Sequence, residues 1–342
     1  MASQIPTCRQ PVRPGIIPAG SGVVLPVCIL MLITAALRVA RAQDSSSQEL
    51  PSAPAAMTIE PIAVAAESPR RPSGSDVLAY WYGPSYRTPF VLEPGSGKAA
   101  DIERNAIEYT HLGFWTLGSN FADVMVSKSN MAEPASGGGS GATETYVILR
   151  SNVGLNEATG TPAFRKGPMR NLSIELGANL ETKNSSFAPA EKTIYFGPNI
   201  QFAVPRGYFN VGLHLRKEWN HEGVLGKSED YNPDFNIEPT WMFPFAIGAV
   251  HLAYTGFADY NTPKGNDSFG NPTVGEFLLR NAVTVDIGAV LFKRAQLLDL
   301  SGGFWYWHNE YGKPSSDPGA HQMTPMIGLA FHLDGGRANH RQ

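Results

Sequence analysis

The sequence predicts an all-β chain: a twelve-stranded antiparallel up-and-down transmembrane β-barrel behind an N-terminal signal peptide. Three observations predict it. Between Val77 and Leu333 twelve stretches alternate apolar and polar residues, the connections between them alternate long and polar with short and tight, and no run past residue 42 approaches the uninterrupted apolar length of a membrane helix, about 18 residues.

The chain opens with Arg9 and Arg13, an apolar run from Val23 to Leu37, and Ala40-Arg41-Ala42 before Gln43, the pattern of a secretory signal cleaved after Ala42. An N-terminal membrane anchor is the competing explanation, but the run is short for a span and carries Pro26. Cys28 precedes the apolar core (Ile29, Leu30, Met31, Leu32) instead of following it, the wrong order for lipidation. Both cysteines, Cys8 and Cys28, lie in residues 1–42, so the remaining 300 residues have no disulfide to rely on. Cleavage also removes four arginines and no acid, taking the formal net charge from −3 to −7, a poor balance for binding nucleic acid. Residues 43–75 are rich in Ser, Pro and Ala, include Arg70-Arg71-Pro72 and have no periodicity, which predicts a disordered periplasmic tail. The barrel is assigned to 76–333 and a C-terminal tail to 334–342.

Each strand is read from its period of two. In 208–219, Phe209, Val211, Leu213, Leu215 and Trp219 share one face while Asn210, Gly212, His214, Arg216 and Glu218 share the other. The same alternation runs through 171–181, with Leu172, Ile174, Leu176, Ala178 and Leu180 against Ser173, Glu175, Asn179 and Glu181. In 279–291 it sets Val283, Val285, Ile287, Ala289 and Leu291 against Arg280, Thr284 and Asp286. The other strands are placed at 77–90, 104–117, 120–129, 143–154, 191–203, 235–243, 246–260, 296–308 and 321–333.

With the N-terminus periplasmic, the outward loops are 91–103, 130–142, 184–190, 220–234, 261–274 and 309–320. The inward turns fall around Gly118-Ser119, Pro205-Arg206, Pro244-Phe245 and Lys293-Arg294-Ala295. Residues 155–167 break the rhythm by being long on the short side, which leaves open a true periplasmic loop or a different strand count. Pro198, Pro239 and Pro325 predict bulges or strand ends, because proline cannot donate to a ladder. A soluble sandwich or lipocalin-like barrel would share the alternation. Strand lengths near 10 residues, the loop rhythm, and Trp219, Trp241, Phe243 and Tyr260 at strand ends favour the membrane form.

By phase, the side chains expected to line the lumen are Glu144, Arg150, Glu175, Tyr195, Asn199, His214, Arg216, Glu238, His251, Arg280, Asp286, Trp305 and Trp307. Trp305 and Trp307 become girdle residues instead if strand 296–308 has the opposite phase. Twelve strands lie between the filled eight-stranded barrel and the aqueous porins, so a narrow pore is expected, with both charge signs and aromatics suited to a planar, hydrogen-bonding solute. For any single charged position, pairing that stiffens the barrel competes with solute contact.

Tyr254-Thr255-Gly256-Phe257-Ala258-Asp259-Tyr260, the Asn- and Gly-rich loop after it, and Trp305-Tyr306-Trp307-His308 resemble the closing third of the nucleoside-specific channel-forming outer-membrane proteins, the Tsx-like channels. Tyr80-Trp81-Tyr82-Gly83-Pro84-Ser85-Tyr86-Arg87 is similar to members of the same family, and the resemblance is strongest over 246–333. It implies a monomeric barrel in a Gram-negative outer membrane that passes nucleosides by facilitated diffusion. Its partners would be the lipid bilayer, a nucleoside-like solute and the outer-membrane assembly machinery. Gly328-Leu329-Ala330-Phe331-His332-Leu333 has the form of an insertion signal but is followed by nine more residues.

No enzyme is expected. Gly138-Gly139-Ser140-Gly141 is followed by Ala142 and fails Gly-x-Ser-x-Gly, no histidine supplies a His-x-Ser pattern, and Gly97-Lys98 lacks the phosphate-loop spacing. No His/Cys/Asp spacing suggests a metal, and no cofactor is expected. Two functions remain: a diffusion channel for nucleosides or similar small polar solutes, or a structural or surface-interaction barrel with its lumen plugged by paired charges.

Overall fold

A computed structural model describes residues 73–333. The expected signal, the tail as far as residue 72, and residues 334–342 lie outside the described residues. Among the described residues, twelve strands form a closed antiparallel wall: β1 (Ser73–Tyr86), β2 (Ile102–Trp115), β3 (Gly118–Ser129), β4 (Thr143–Gly154), β5 (Met169–Lys183), β6 (Ala190–Phe202), β7 (Tyr208–Glu222), β9 (Asp234–Ile247), β10 (Val250–Asn261), β11 (Glu276–Asp286), β12 (Leu298–His308) and β13 (His321–His332). The short β8 (Lys227–Asp230) pairs only with the end of β7, as a hairpin inside an outer loop. Each wall strand pairs with its neighbours in sequence, and β1 with β13 closes the ring, for example Tyr80 opposite Leu329. Closure leaves no edge with unpaired backbone, the condition for crossing lipid with strands.

The wall is polar inside and apolar outside. On β5, Glu175 and Glu181 are each 2% exposed while Leu176 between them is 61% exposed. Phe196, Leu215 and Phe235 continue this bare apolar surface around β6, β7 and β9, where a water-soluble barrel would turn the same residues inward. Such a belt on a closed barrel is the surface of a membrane-spanning protein.

Several boundaries differ from expectation for identifiable reasons. β1 begins at Ser73, because 73–75 pair with Phe114, Gly113 and Leu112 of β2 despite their weak composition. It ends at Tyr86, after a register shift between Gly83 and Tyr86. Pro244 and Phe245 lie inside β9, and the turn to β10 is Gly248-Ala249, where Gly248 at φ 60 supplies the left-handed residue of a two-residue hairpin. Gly118 and Ser119 already belong to β3, the turn being residues 116–117. The connection after β4 is long: it holds a five-residue helix, α1 (Leu155–Thr159), closed by Gly160 at φ 65, and the strand count stands.

The main correction concerns 287–292. The alternation of Ile287, Ala289 and Leu291 fits a strand, yet these residues form a second helix, α2 (Ile287–Phe292). Asp286 accepts a hydrogen bond from the Ala289 amide at 2.9 Å and another from the Gln296 amide at 2.9 Å, so its carboxylate caps the helix and pins the turn after it. Ile287 packs on Val250, Leu252 and Val285, a small buried apolar cluster on the outward phase of β10 and β11.

The prolines sit within strands. Between Phe196↔Leu215 and Asn199↔Gly212 the β6–β7 ladder lapses at Pro198, and between Phe257↔Thr240 and Tyr260↔Ile237 the β9–β10 ladder lapses at Pro239. Pro325 pairs with Phe304 on β12, while the β1 ladder stops at Tyr82↔Ile327. Each missing donor is absorbed by a short gap in one ladder.

Candidate functional site

The period-two phase places the lumen side chains. On the β4–β9 side Arg150 is the hub: Nε is 3.3 Å from Glu175 Oε1, Nη2 is 2.8 Å from Glu238 Oε2, Nη1 donates to Asn179 Oδ1 at 2.8 Å, and the guanidinium lies 4.3 Å from the Tyr195 ring centroid. Asn199 donates to Glu175 Oε2 at 2.6 Å, and His214 Nε2 lies 3.3 Å from Glu175 Oε1. His214 Nδ1 is 2.8 Å from Asn236 Oδ1, and Asn236 donates in turn to Asp259 at 3.0 Å and Asn261 at 2.8 Å. Farther out, Arg216 pairs with Asp234 at 2.8 Å and with Glu218, whose other partner is Lys264 at 2.5 Å.

Apart from the partly buried Glu238 these groups are buried, so every charge needs its partner: losing one member strands the others in low dielectric, a cost of about 3–5 kcal/mol for a broken buried pair.

Two ion pairs link distant strands across the lumen. Arg150 on β4 and Glu238 on β9 have β5, β6 and β7 between them along the wall, so they meet through the interior. Arg280 on β11 and Glu108 on β2 are equally far apart in the ring, yet Arg280 Nη2 donates to Glu108 Oε2 at 2.9 Å.

The end of the barrel that carries loops 130–142, 262–275 and 309–320 is closed by loops that fold inward. Glu133, in loop 130–142, bridges Arg104 at 3.1 Å and Lys183 at 2.8 Å, and Glu144 receives the same two cations at 3.4 and 2.9 Å. Burial alone would push the Glu133 carboxyl up, but Arg104 and Lys183 outweigh it and hold it down at about 2. Loop 309–320 curls through left-handed Asn309, Tyr311 and Gly312, burying Glu310 against Gln322 at 2.6 Å. The Tyr311 hydroxyl reaches across to Glu181 Oε1 at 3.1 Å. Loop 262–275 is tied to it through the Val274 amide and the Gly312 carbonyl at 2.9 Å. Among these loops a cavity of about 30 Å³, lined by Phe187, Tyr231, Lys264 and Tyr311, has room for little more than a water or two.

The β11–β2 side differs in kind. Trp305 and Trp307 share a phase with Asp299 and Ser301, facing the lumen, and their partly buried rings continue a ladder: Tyr86 to Trp305 at 6.3 Å, Trp305 to Trp307 at 6.0 Å, Trp307 to Tyr311 at 5.5 Å. Arg280 lies 4.8 Å from the Trp81 ring centroid and 5.8 Å from that of Trp305. Trp81 donates to Glu108 at 2.6 Å and Trp307 to Glu276 at 2.8 Å. One wall of the lumen is thus packed with buried charge, and the other carries a partly accessible aromatic track edged with hydrogen-bonding groups.

Of the residues expected to line the pore, Glu144, Arg150, Glu175, Tyr195, Asn199, His214, Arg216, Glu238, Arg280, Trp305 and Trp307 belong to these networks. His251 holds the lumen phase but sits exposed beside the Gly248-Ala249 turn, apart from them, and Asp286 is the helix cap described above. The same phase argument, extended along the strands, reaches Glu181, Lys183, Glu191, Glu218 and Asp259. Glu133, Lys264, Glu310 and Tyr311 stand in loops, where no periodicity marks them.

No family model matches the chain, and no curated protein matches it. Among solved structures it is similar to the translocator domain of the autotransporter NalP from Neisseria meningitidis, with 12% identity over 91% of this chain and 99% of that one and a TM-score of 0.38. It is also similar to the KdgM porin, with 9% identity over 75% and 98% and a TM-score of 0.36. At these scores the likenesses carry nothing about function, and the membrane reading rests on the closed ladder and the apolar belt.

Proposed function

We propose that this protein is a bacterial outer-membrane channel for small polar solutes with a flat face, nucleosides above all, and that its lumen is held narrow by cross-lumen ion pairs and inward-folded outer loops. The aromatic ladder Tyr86–Trp305–Trp307–Tyr311 carries this reading: partly buried rings beside Arg280, Glu108 and Glu276 can stack a planar base while polar groups exchange hydrogen bonds with a sugar. A packed charge network alone would need no such track. Diffusion down a gradient requires no cofactor.

One observation favours a second reading, a structural barrel with a sealed lumen: Glu133, Glu218, Glu310 and Gln322 are each only 1% exposed, so the outer half is nearly closed at rest. Swelling of liposomes containing the purified protein separates the two. The channel reading expects nucleosides to enter faster than disaccharides, and a rate equal to protein-free liposomes for every solute removes it.

A further inference from the structure

A pair of histidines lies on the outward phase of the wall, outside the lumen networks. His308 ends β12 and His321 begins β13, and the two are direct partners across the hairpin. Their Nδ1 atoms approach to 3.5 Å with the rings nearly perpendicular, at 80° and 5.6 Å between centroids. With metal–nitrogen bonds of about 2.1 Å, a separation of 3.5 Å corresponds to a nitrogen–metal–nitrogen angle of about 113°, close to tetrahedral. Two imidazoles held side by side by a ladder already have the spacing that chelation requires, and the metal would replace the Nδ1–Nδ1 hydrogen bond between them, both rings turning their remaining proton to Nε2. His321 also lines a surface cleft with Arg87, Glu93, Lys98, Asp101 and Asp317, which places it within reach of solvent. The Tyr306 ring stands edge-on to His321 at 5.4 Å and limits its rotation.

We propose that His308 and His321 form a surface chelate for a divalent transition metal of the zinc, copper or nickel type, bound through both Nδ1 atoms at the foot of loop 309–320. Among the described residues no cluster of three or more His, Cys, Asp or Glu side chains forms a metal site, so water or an external ligand fills the remaining positions. The site is therefore open and exchangeable, suited to capturing metal at the cell surface or bridging to a metal-binding partner. It does not depend on what the lumen transports. The two ligands are separated by a 12-residue loop in sequence, too far apart for a spacing motif, and only the hairpin register brings them together.

The test uses the full-length protein folded in detergent without a histidine tag, titrated with Cu(II) or Zn(II) alone. One metal per chain is expected, with the Cu(II) electron paramagnetic resonance spectrum showing two equivalent nitrogen couplings. His308→Gln and His321→Gln should each weaken binding at least about tenfold, no less than the loss of an outer-shell partner costs. Zn(II) should raise the thermal midpoint of the wild type and not of either variant, and heat-modifiable migration on gels checks that both variants fold. Equal binding by wild type and both folded variants, or a spectrum with fewer than two nitrogens, overturns the proposal.

Discussion

At the scale of single residues, the lumen holds its side chains in two ways, by ion pairs and by ring contacts. Arg150 is fixed by Glu175, Glu238 and Asn179, whereas Trp305 lies against the Tyr86 and Trp307 rings and the Arg280 guanidinium. Trp305→Ala should therefore leave the barrel folded and weaken nucleoside block of single-channel current by about 1–3 kcal/mol in affinity, the range for one base stacked on an aromatic ring. Unchanged block would place the solute elsewhere. Glu133 makes a pH prediction. Its carboxyl is held at about 2, below an ordinary 4.5, so its stabilising contact with Arg104 and Lys183 is present above that ordinary value and is lost as pH falls toward 2. Conductance should rise over that interval, and Glu133→Gln should show the raised conductance already at neutral pH. A flat profile in both proteins would mean that this contact does not restrain the loop.

At the scale of elements, the strands were readable wherever both faces obey one rule. Over 172–181 of β5 and 209–216 of β7 the lumen-facing residues are polar or glycine and the outward ones apolar, so period two, once the membrane form is chosen from strand length and loop rhythm, assigns Glu175, His214 and Arg216 to the interior. The rule fails where the chain leaves the wall. Ile287, Ala289 and Leu291 alternate, but Asp286 accepting the Ala289 amide favours a helical turn, a local capping choice that periodicity cannot register. Loop 309–320 is the opposite case, since its loop composition conceals an inward fold built on left-handed Asn309, Tyr311 and Gly312. Replacing Asn309, Glu310 and Tyr311 with Gly-Ser-Gly should release the contacts to Gln322 and Glu181 and raise unitary conductance severalfold, with heat-modifiability retained. An unchanged conductance would show that the wall side chains alone set the constriction.

At the scale of the whole molecule, the chain is an inverted protein: apolar side chains face outward in a continuous belt, and charged groups fill the interior. Closure through β1 and β13 stabilises the backbone in lipid, and the chords Arg150–Glu238 and Arg280–Glu108 tie distant parts of the ring together without a cysteine in the described residues. The same chords that rigidify the barrel narrow it, so structural stiffness and solute selection share the same side chains. Single-channel recording of the wild-type protein in a planar bilayer, with adenosine added stepwise, tests this most directly. A small unitary conductance that falls in a saturable way as adenosine rises is the expected result; a large current indifferent to adenosine, or no current at any voltage, would contradict a narrow, solute-selective lumen.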